Sequence, residues 1–75
     1  MLETVITMME ELLERDAGTV KPEDEFREYE EWDSLAYLSV IAKIDEDFGM
    51  VVPLDDFRQC RTVRALSEYL DKHAG

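Results

Sequence analysis

The sequence predicts an all-α fold, a small four-helix bundle with three longer helices, one short helix and a long loop between helices one and two. Apolar residues recur at the spacing of amphipathic helices along most of the chain. The one run that could form a strand by propensity, Val51-Val52, lies between Gly49 and Pro53, and no second run could pair with it. The length of 75 residues suits one domain over residues 1–75.

The first helix is predicted over residues 2–16. Its apolar positions follow the pattern of a single buried stripe and are Leu2, Val5, Ile6, Met9, Leu12 and Leu13. Glu10, Glu11 and Glu14 are expected on the solvent side of this helix. Gly18 follows at a position where a left-handed residue could end the helix.

The segment over residues 19–32 has no sustained period and is predicted to be a long loop. Besides Pro22 it holds a dense set of acidic residues: Glu23, Asp24, Glu25, Glu28, Glu30 and Glu31. We expect Val20 and Phe26 to anchor the loop in the core, and residues 26–29 to form a short helical turn.

The second helix is predicted over residues 34–48. Asp33 is a suitable N-cap because its carboxylate can accept from free backbone N–H groups, and Gly49 is suited to end the helix. The apolar face consists of Tyr37, Ile41, Ile44 and Phe48, widened by Leu38 and Val40. A face this broad predicts contact with more than one helix. The spacing of Trp32 and Tyr37 predicts a hydrophobic staple across the helix start.

Two further helices complete the predicted bundle. A short one is expected over residues 54–59, with Pro53 near its start. The last is expected over residues 63–72, with Thr62 as its cap. Its buried stripe consists of Val63, Leu66, Tyr69 and Leu70.

The charge balance excludes several kinds of partner. The chain has 19 acidic and 8 basic residues and a net charge of -11, so nucleic acid and anionic membrane surfaces would be repelled. A partner with a basic patch would be attracted. No apolar run approaches the ~20 residues of a membrane span, and the first residues lack a signal-peptide pattern. We expect the chain to be a monomer. We also expect it in the cytoplasm, since the lone Cys60 forbids an internal disulfide and fits a reducing compartment.

Ser34 is the candidate for chemistry. With Asp33 as the cap, Ser34 lies in the first helical turn, where free N–H groups and the helix dipole favour an anion. A phosphate attached to Ser34 would therefore lie in a favourable site. A catalytic serine is not expected, because Trp32 replaces the glycine of the G-D-S-L esterase motif and the chain has a single histidine.

Four motifs occur in a characteristic order. They are Asp33-Ser34-Leu35, Asp45-Glu46-Asp47-Phe48-Gly49, Val52-Pro53-Leu54 and Thr62-Val63-Arg64-Ala65-Leu66. In this order and spacing the chain resembles an acyl carrier protein over residues 5–70. The resemblance implies a carrier and not an enzyme, with 4'-phosphopantetheine esterified to Ser34 by a phosphopantetheinyl transferase that uses coenzyme A.

The resemblance also implies the contact residues. Asp33 would take part in recognition by the transferase, and Leu35, Asp45 and Glu46 would contact partners. These partners would include acyl-loading and acyl-modifying enzymes with basic docking patches. Leu35 could equally be a core leucine, an alternative that the sequence leaves open.

Several positions depart from what is usual in the family. They are Trp32 and Ala36 near the serine, Ser39 and Ala42 on the exposed face of the second helix, and the basic cluster of Arg58, Arg61 and Arg64. The departures favour a specialised pathway with dedicated enzymes, while fatty acid and polyketide synthesis stay open. An unmodified acidic interaction module and an aminoacyl or peptidyl carrier are the alternatives.

No metal site is expected. Asp45, Glu46 and Asp47 lack the glycine and glutamate positions of a calcium-binding loop. Cys60 has no second cysteine to share a metal with, so we expect it to be a buried core residue.

Overall fold

The computed structural model describes residues 1–74, and these form four α-helices and one 3-10 turn. The helices are α1 (Leu2–Leu12), α2 (Ser34–Phe48), α3 (Leu54–Gln59) and α4 (Val63–Ala74), and the turn spans Phe26–Glu28. No strand occurs in this part of the chain, and Val51-Val52 is irregular. The predicted all-α bundle with one short helix is therefore confirmed.

The core lies where α1 packs against α2 and α4, the helices whose backbones approach most closely. Its fully buried large side chains are Phe26, Phe57, Met9, Ile44, Leu66, Leu70, Val5, Val40 and Val63. Burial of each such side chain stabilises the fold by about 1.5–3 kcal/mol. Helix α3 approaches the other helices less closely and contributes mainly through Phe57.

Helix α1 ends well before residue 16, so the predicted boundary is wrong. Its end is a Schellman motif in which Glu14 adopts a left-handed φ of 55°. The N–H of Arg15 donates to the carbonyl of Glu10 at 2.8 Å, and the N–H of Glu14 donates to that of Glu11 at 3.3 Å. Gly18 has a φ of 88° but lies in the turn that follows. The apolar stripe could not indicate this end, because a non-glycine residue takes the left-handed position.

Glu10 is buried, contrary to the prediction that it faces solvent. Glu10 is only 9% exposed, and its Oε2 accepts the N–H of Gly18 at 2.7 Å and the N–H of Val20 at 3.3 Å. The carboxylate thus attaches the beginning of the loop to α1. Glu11 and Glu14 are exposed, as predicted.

The long loop is anchored in the core and also caps α4. Val20 and Phe26 are buried as predicted, and the 3-10 turn lies where a helical turn was expected. The carbonyls of Pro22 and Asp24 accept the first two N–H groups of α4, at 2.8 and 3.1 Å. The loop therefore satisfies donors that have no partner within the helix.

Two members of the basic cluster pair with acids of the loop. Arg61 pairs with Glu25 at 3.2 Å, and Arg64 pairs with Glu23 at 2.5 Å. Both pairs are exposed to solvent, so each contributes at most about 1 kcal/mol. Arg58 is exposed on α3.

The remaining helix boundaries agree with the prediction, except that α4 runs on to Ala74. The predicted burial of Cys60 is also confirmed. The Thr62 hydroxyl accepts the N–H of Ala65 at 3.1 Å and so caps α4. Cys60 is 4% exposed, and its thiol donates to the carbonyl of Asp56 at 3.5 Å. Burial raises the pKa of this thiol, as expected of a core cysteine.

Replacing Glu14 by glycine should stabilise the protein, because glycine adopts the left-handed conformation without a Cβ clash. The matched control is Glu14→Ala, which removes the same charge but keeps the Cβ. We expect the free energy of unfolding of Glu14→Gly to exceed that of Glu14→Ala by about 1 kcal/mol. Urea denaturation followed by circular dichroism measures the difference, and a glycine variant no more stable than the alanine variant would contradict the Schellman geometry.

Replacing Glu10 by alanine should lower the free energy of unfolding by about 2–4 kcal/mol, because two loop N–H groups lose a charged acceptor. Glu10→Gln keeps an oxygen in the same place and should retain most of that stability. The exposed Glu11→Ala should change it by at most about 0.5 kcal/mol. Equal losses at Glu10 and Glu11 in the same urea experiment would show that the buried carboxylate does not hold the loop.

Candidate functional site

Asp33 determines where α2 begins. Its backbone is extended, with φ -149° and ψ -173°, and its Oδ1 accepts the N–H of Ala36 at 2.8 Å. Its own carbonyl accepts the N–H of Tyr37 at 3.0 Å. These two bonds are those of an N-cap, so the predicted cap is confirmed and Ser34 is the first residue of the helix.

Ser34 is exposed at this first position. The N–H groups of the first turn have no partner within the helix, and they carry the positive end of the helix dipole. The Asp33 carboxylate accepts one of them, that of Ala36, and does not occupy those of Ser34 and Leu35.

Two leucines beside Ser34 are directed to solvent. Leu35 is 72% exposed and Leu38 is 58% exposed. Leu35 is therefore not a core residue. The prediction that Leu38 widens the buried face is wrong, because position 38 lies one turn after Ser34 on the same side of the helix. The buried side of α2 consists of Ala36, Val40 and Ile44.

The outer face of α2 changes in character along its length. We call the exposed residues Ser34, Leu35, Leu38, Ala42, Asp45 and Glu46 the outer stripe. Its first half is apolar and its second half is acidic. Asp47 pairs with Lys43 at 3.5 Å, while Asp45 and Glu46 are exposed on the side of the serine. The predicted partner residues Leu35, Asp45 and Glu46 thus share one face with Ser34.

An aromatic cluster lies beneath the start of α2. The ring of Phe57 stacks on Trp32 with centroids 6.2 Å apart, and it meets Tyr37 edge-on at 5.2 Å. Phe26 contacts both Trp32 and Phe57, at 5.0 and 5.6 Å. The two residues predicted to form a staple each pack on Phe57. The sequence spacing could not indicate this, because Phe57 comes from a different helix.

Arg27 joins the loop to the end of α3. Its Nη1 donates to the carbonyl of Cys60 at 3.0 Å, and its Nη2 donates to the carbonyl of Phe57. The guanidinium also lies over the rings of Phe26 and Phe57, 5.1 and 5.0 Å from their centroids. Burial lowers the pKa of Arg27, yet a guanidinium remains charged in proteins. No local pattern pointed to Arg27, since its partners lie about thirty positions along the chain.

A second arginine holds the last part of the loop. Arg15 pairs with Glu31 at 2.9 Å, and its guanidinium lies 4.0 Å from the centroid of the Tyr29 ring. The Tyr29 hydroxyl donates to Asp24 at 2.7 Å. Burial and this hydrogen bond raise the pKa of Tyr29. The loop is thereby fastened just before the cap residue.

Within residues 1–74, no three histidine, cysteine or acidic side chains are grouped closely enough to hold a metal ion. None of the helices in these residues combines the length and the apolar character needed to cross a bilayer.

Comparison with known proteins gives a consistent result. The family model described as a phosphopantetheine attachment site matches residues 3–70. The acyl carrier protein of Rubrobacter xylanophilus is 36% identical over 58 residues, which cover 77% of this chain and 72% of that protein. That of Helicobacter hepaticus is 30% identical over 69 residues, with coverage of 92% and 91%. That of Acidothermus cellulolyticus is 29% identical over 72 residues, with coverage of 91% and 86%.

The family match extends over most of the chain and agrees with its helical fold. The cofactor that it implies is covalently attached 4'-phosphopantetheine. This chain therefore belongs to the acyl carrier protein family and is a carrier protein with phosphopantetheine attachment.

Proposed function

We propose that Ser34 is the attachment residue and that the chain acts as a discrete acyl carrier protein, not as an enzyme. The observation that carries this proposal is the exposure of Ser34 as the first residue of α2, directly after its cap. A phosphodiester on Ser34 fits this position, because free N–H groups and the positive helix end stabilise an anion there.

When bound, the arm supplies a terminal thiol that holds an acyl group as a thioester. The chain's own residues present that arm to partners. Asp33 keeps the helix start in place, and Ser34 lies on the outside of the first turn. The only histidine, His73, packs against Tyr69 within α4, with ring centroids 4.2 Å apart. Catalysis on the acyl group is therefore assigned to the partner enzymes.

The outer stripe is the proposed docking surface. Asp45 lies eleven residues after Ser34, which corresponds to roughly 16 Å along a helix. Basic partners would be attracted to Asp45 and Glu46 at that distance, while Leu35 and Leu38 give an apolar contact beside the serine. Exposed charges of this kind raise the association rate more than the affinity, which suits a carrier that must be released after each transfer.

The partners that we propose are a phosphopantetheinyl transferase and acyl-loading and acyl-modifying enzymes with basic patches. Ala42 makes the middle of the outer stripe small, and Arg61 and Arg64 bind the acids of the carrier's own loop. These features support a specialised pathway with dedicated enzymes over ordinary fatty acid synthesis. The single thiol of Cys60, buried and unpaired, is compatible with a reducing compartment, and we place the carrier in the cytoplasm as a monomer.

Incubation with coenzyme A and a broad-specificity transferase should add the mass of one phosphopantetheinyl group, measured by intact-protein mass spectrometry. Ser34→Ala should gain nothing, because the nucleophilic hydroxyl is absent. Ser39→Ala, on the same helix, is the matched control and should be modified like the parent. A parent protein left unmodified by several transferases would favour the unmodified interaction module, and modification of Ser34→Ala would place the arm elsewhere.

Reversing the charges of the acidic half of the outer stripe should slow this modification. For Asp45→Lys with Glu46→Lys we expect kcat/KM for the transferase to fall about tenfold at low salt, through slower association. The control is Glu68→Lys with Asp71→Lys on the exposed side of α4, which changes the net charge equally. Salt should slow the parent and spare the first variant. Equal rates for the two variants would show that only the net charge matters.

A further inference from the structure

Helix α3 depends on side-chain contacts for its position. It has 6 residues, fewer than the roughly 12–15 that an isolated helix needs in water. Its backbone approaches the other helices less closely than α1 approaches α2 and α4. Three contacts hold it: Phe57 in the aromatic cluster, the hydrogen bond from the Tyr69 hydroxyl to Asp56 at 2.7 Å, and Arg27 at its C-terminal end.

Arg27 adds two hydrogen bonds at the end of α3. The Phe57 carbonyl already accepts the N–H of Cys60 at 3.0 Å, and Arg27 Nη2 donates a second bond to it. Arg27 Nη1 donates to the carbonyl of Cys60, the residue that follows the helix. Hydrogen bonds from a charged donor are stronger than neutral ones. Burial is the main cause that lowers the pKa of Arg27, and the charges of Arg61 and Arg58 lower it further. The carbonyls, together with the two aromatic rings, are therefore what keeps this guanidinium in place.

Phe57 connects α3 to the serine. Trp32 precedes Ser34 by two positions and Tyr37 follows it by three, so two of the rings that contact Phe57 lie on either side of Ser34 in the chain. A displacement of α3 would remove Phe57 from both rings and leave Trp32 packed on Phe26 alone. The start of α2 would then depend mainly on its cap from Asp33, and that cap would open more often.

We propose that Arg27 is a positioning residue for Ser34: by capping α3 it holds Phe57 against Trp32 and Tyr37, and so orders the helix start that presents the serine. The kinetic part of this proposal depends on Ser34 being the attachment residue. The structural part does not, and it can be measured on the unmodified protein.

The chain contains two natural reporters for the structural part. Trp32 is its only tryptophan and Cys60 its only cysteine, and both touch the Arg27–α3 contact. In Arg27→Met, which keeps the apolar stem and removes the donors, we expect labelling of Cys60 by a thiol reagent to become at least tenfold faster. A tenfold change is about what the loss of one charge-assisted hydrogen bond produces in an opening equilibrium. Acrylamide should also quench Trp32 fluorescence more strongly.

The kinetic part uses a phosphopantetheinyl transferase and coenzyme A. A misplaced nucleophile lowers turnover, whereas the outer stripe stays intact for docking. We expect the kcat for Arg27→Met to fall about tenfold, with KM for the carrier changed by less than about twofold. Arg27→Lys should recover part of the loss, and Phe57→Leu should reproduce it with Arg27 in place. Arg64→Met, which breaks an exposed pair with Glu23, is the control and should behave like the parent.

Amide exchange distinguishes a local effect from a global one. The proposal requires faster exchange in α3 and at the N–H groups of Ala36 and Tyr37, which bond to Asp33, with α1 and α4 unchanged. Equal acceleration of exchange in all helices would overturn the proposal, and so would unchanged Cys60 labelling and Trp32 quenching. A change in labelling and quenching without a fall in kcat would overturn it as well. If Arg27→Met fails to fold, the same labelling, quenching, exchange and kcat measurements are made on Arg27→Lys and Phe57→Leu. A parent protein that no transferase modifies would refute the attachment residue but leave the reporter experiment decisive for Arg27 and α3.

Discussion

The start of α2 is the constraint on which the site depends. The hydrogen bond from Ala36 to the Asp33 carboxylate and the left-handed Gly49, with a φ of 64°, define the two ends of this helix. Each helical residue turns about 100° from the one before it, so a shift of one position would rotate Ser34 toward a neighbouring face. With the observed ends, Val40 and Ile44 are buried, and Ser34, Leu38 and Asp45 share the outer side.

The excess of acidic residues determines how the few basic residues are paired. The chain has 8 basic residues against 19 acidic ones, and several of the arginines are committed to internal contacts. Arg15, Arg61 and Arg64 pair with loop acids, and Arg27 binds the end of α3. The loop between α1 and α2 is thus held by its own charges and by the buried Glu10. The acids of the outer stripe, Asp45 and Glu46, are left exposed.

A small core explains why so many polar contacts are needed. A chain of this length buries only about 60% of the surface that it exposes when unfolded, which leaves little apolar area for a long loop and a short helix. Glu10 fixes the beginning of the loop, and Arg27 connects its middle to α3. Phe57 then links α3 to the aromatic rings around the serine. The loop, the short helix and the helix start form one connected unit.

The sequence by itself determined the helical class, the bounds of α2 and α3, the caps Asp33, Thr62 and Gly49, and the motif around Ser34. These features depend on residues within a few positions of one another, and periodicity and capping express such local preferences directly. The tertiary structure alone decided the early end of α1, the burial of Glu10, the exposure of Leu38 and the contacts of Arg27. Each of these depends on a backbone conformation, on which side of a helix packs against its neighbours, or on a partner in another segment. A hydrogen bond between segments brought together by folding leaves no periodic signal in the sequence.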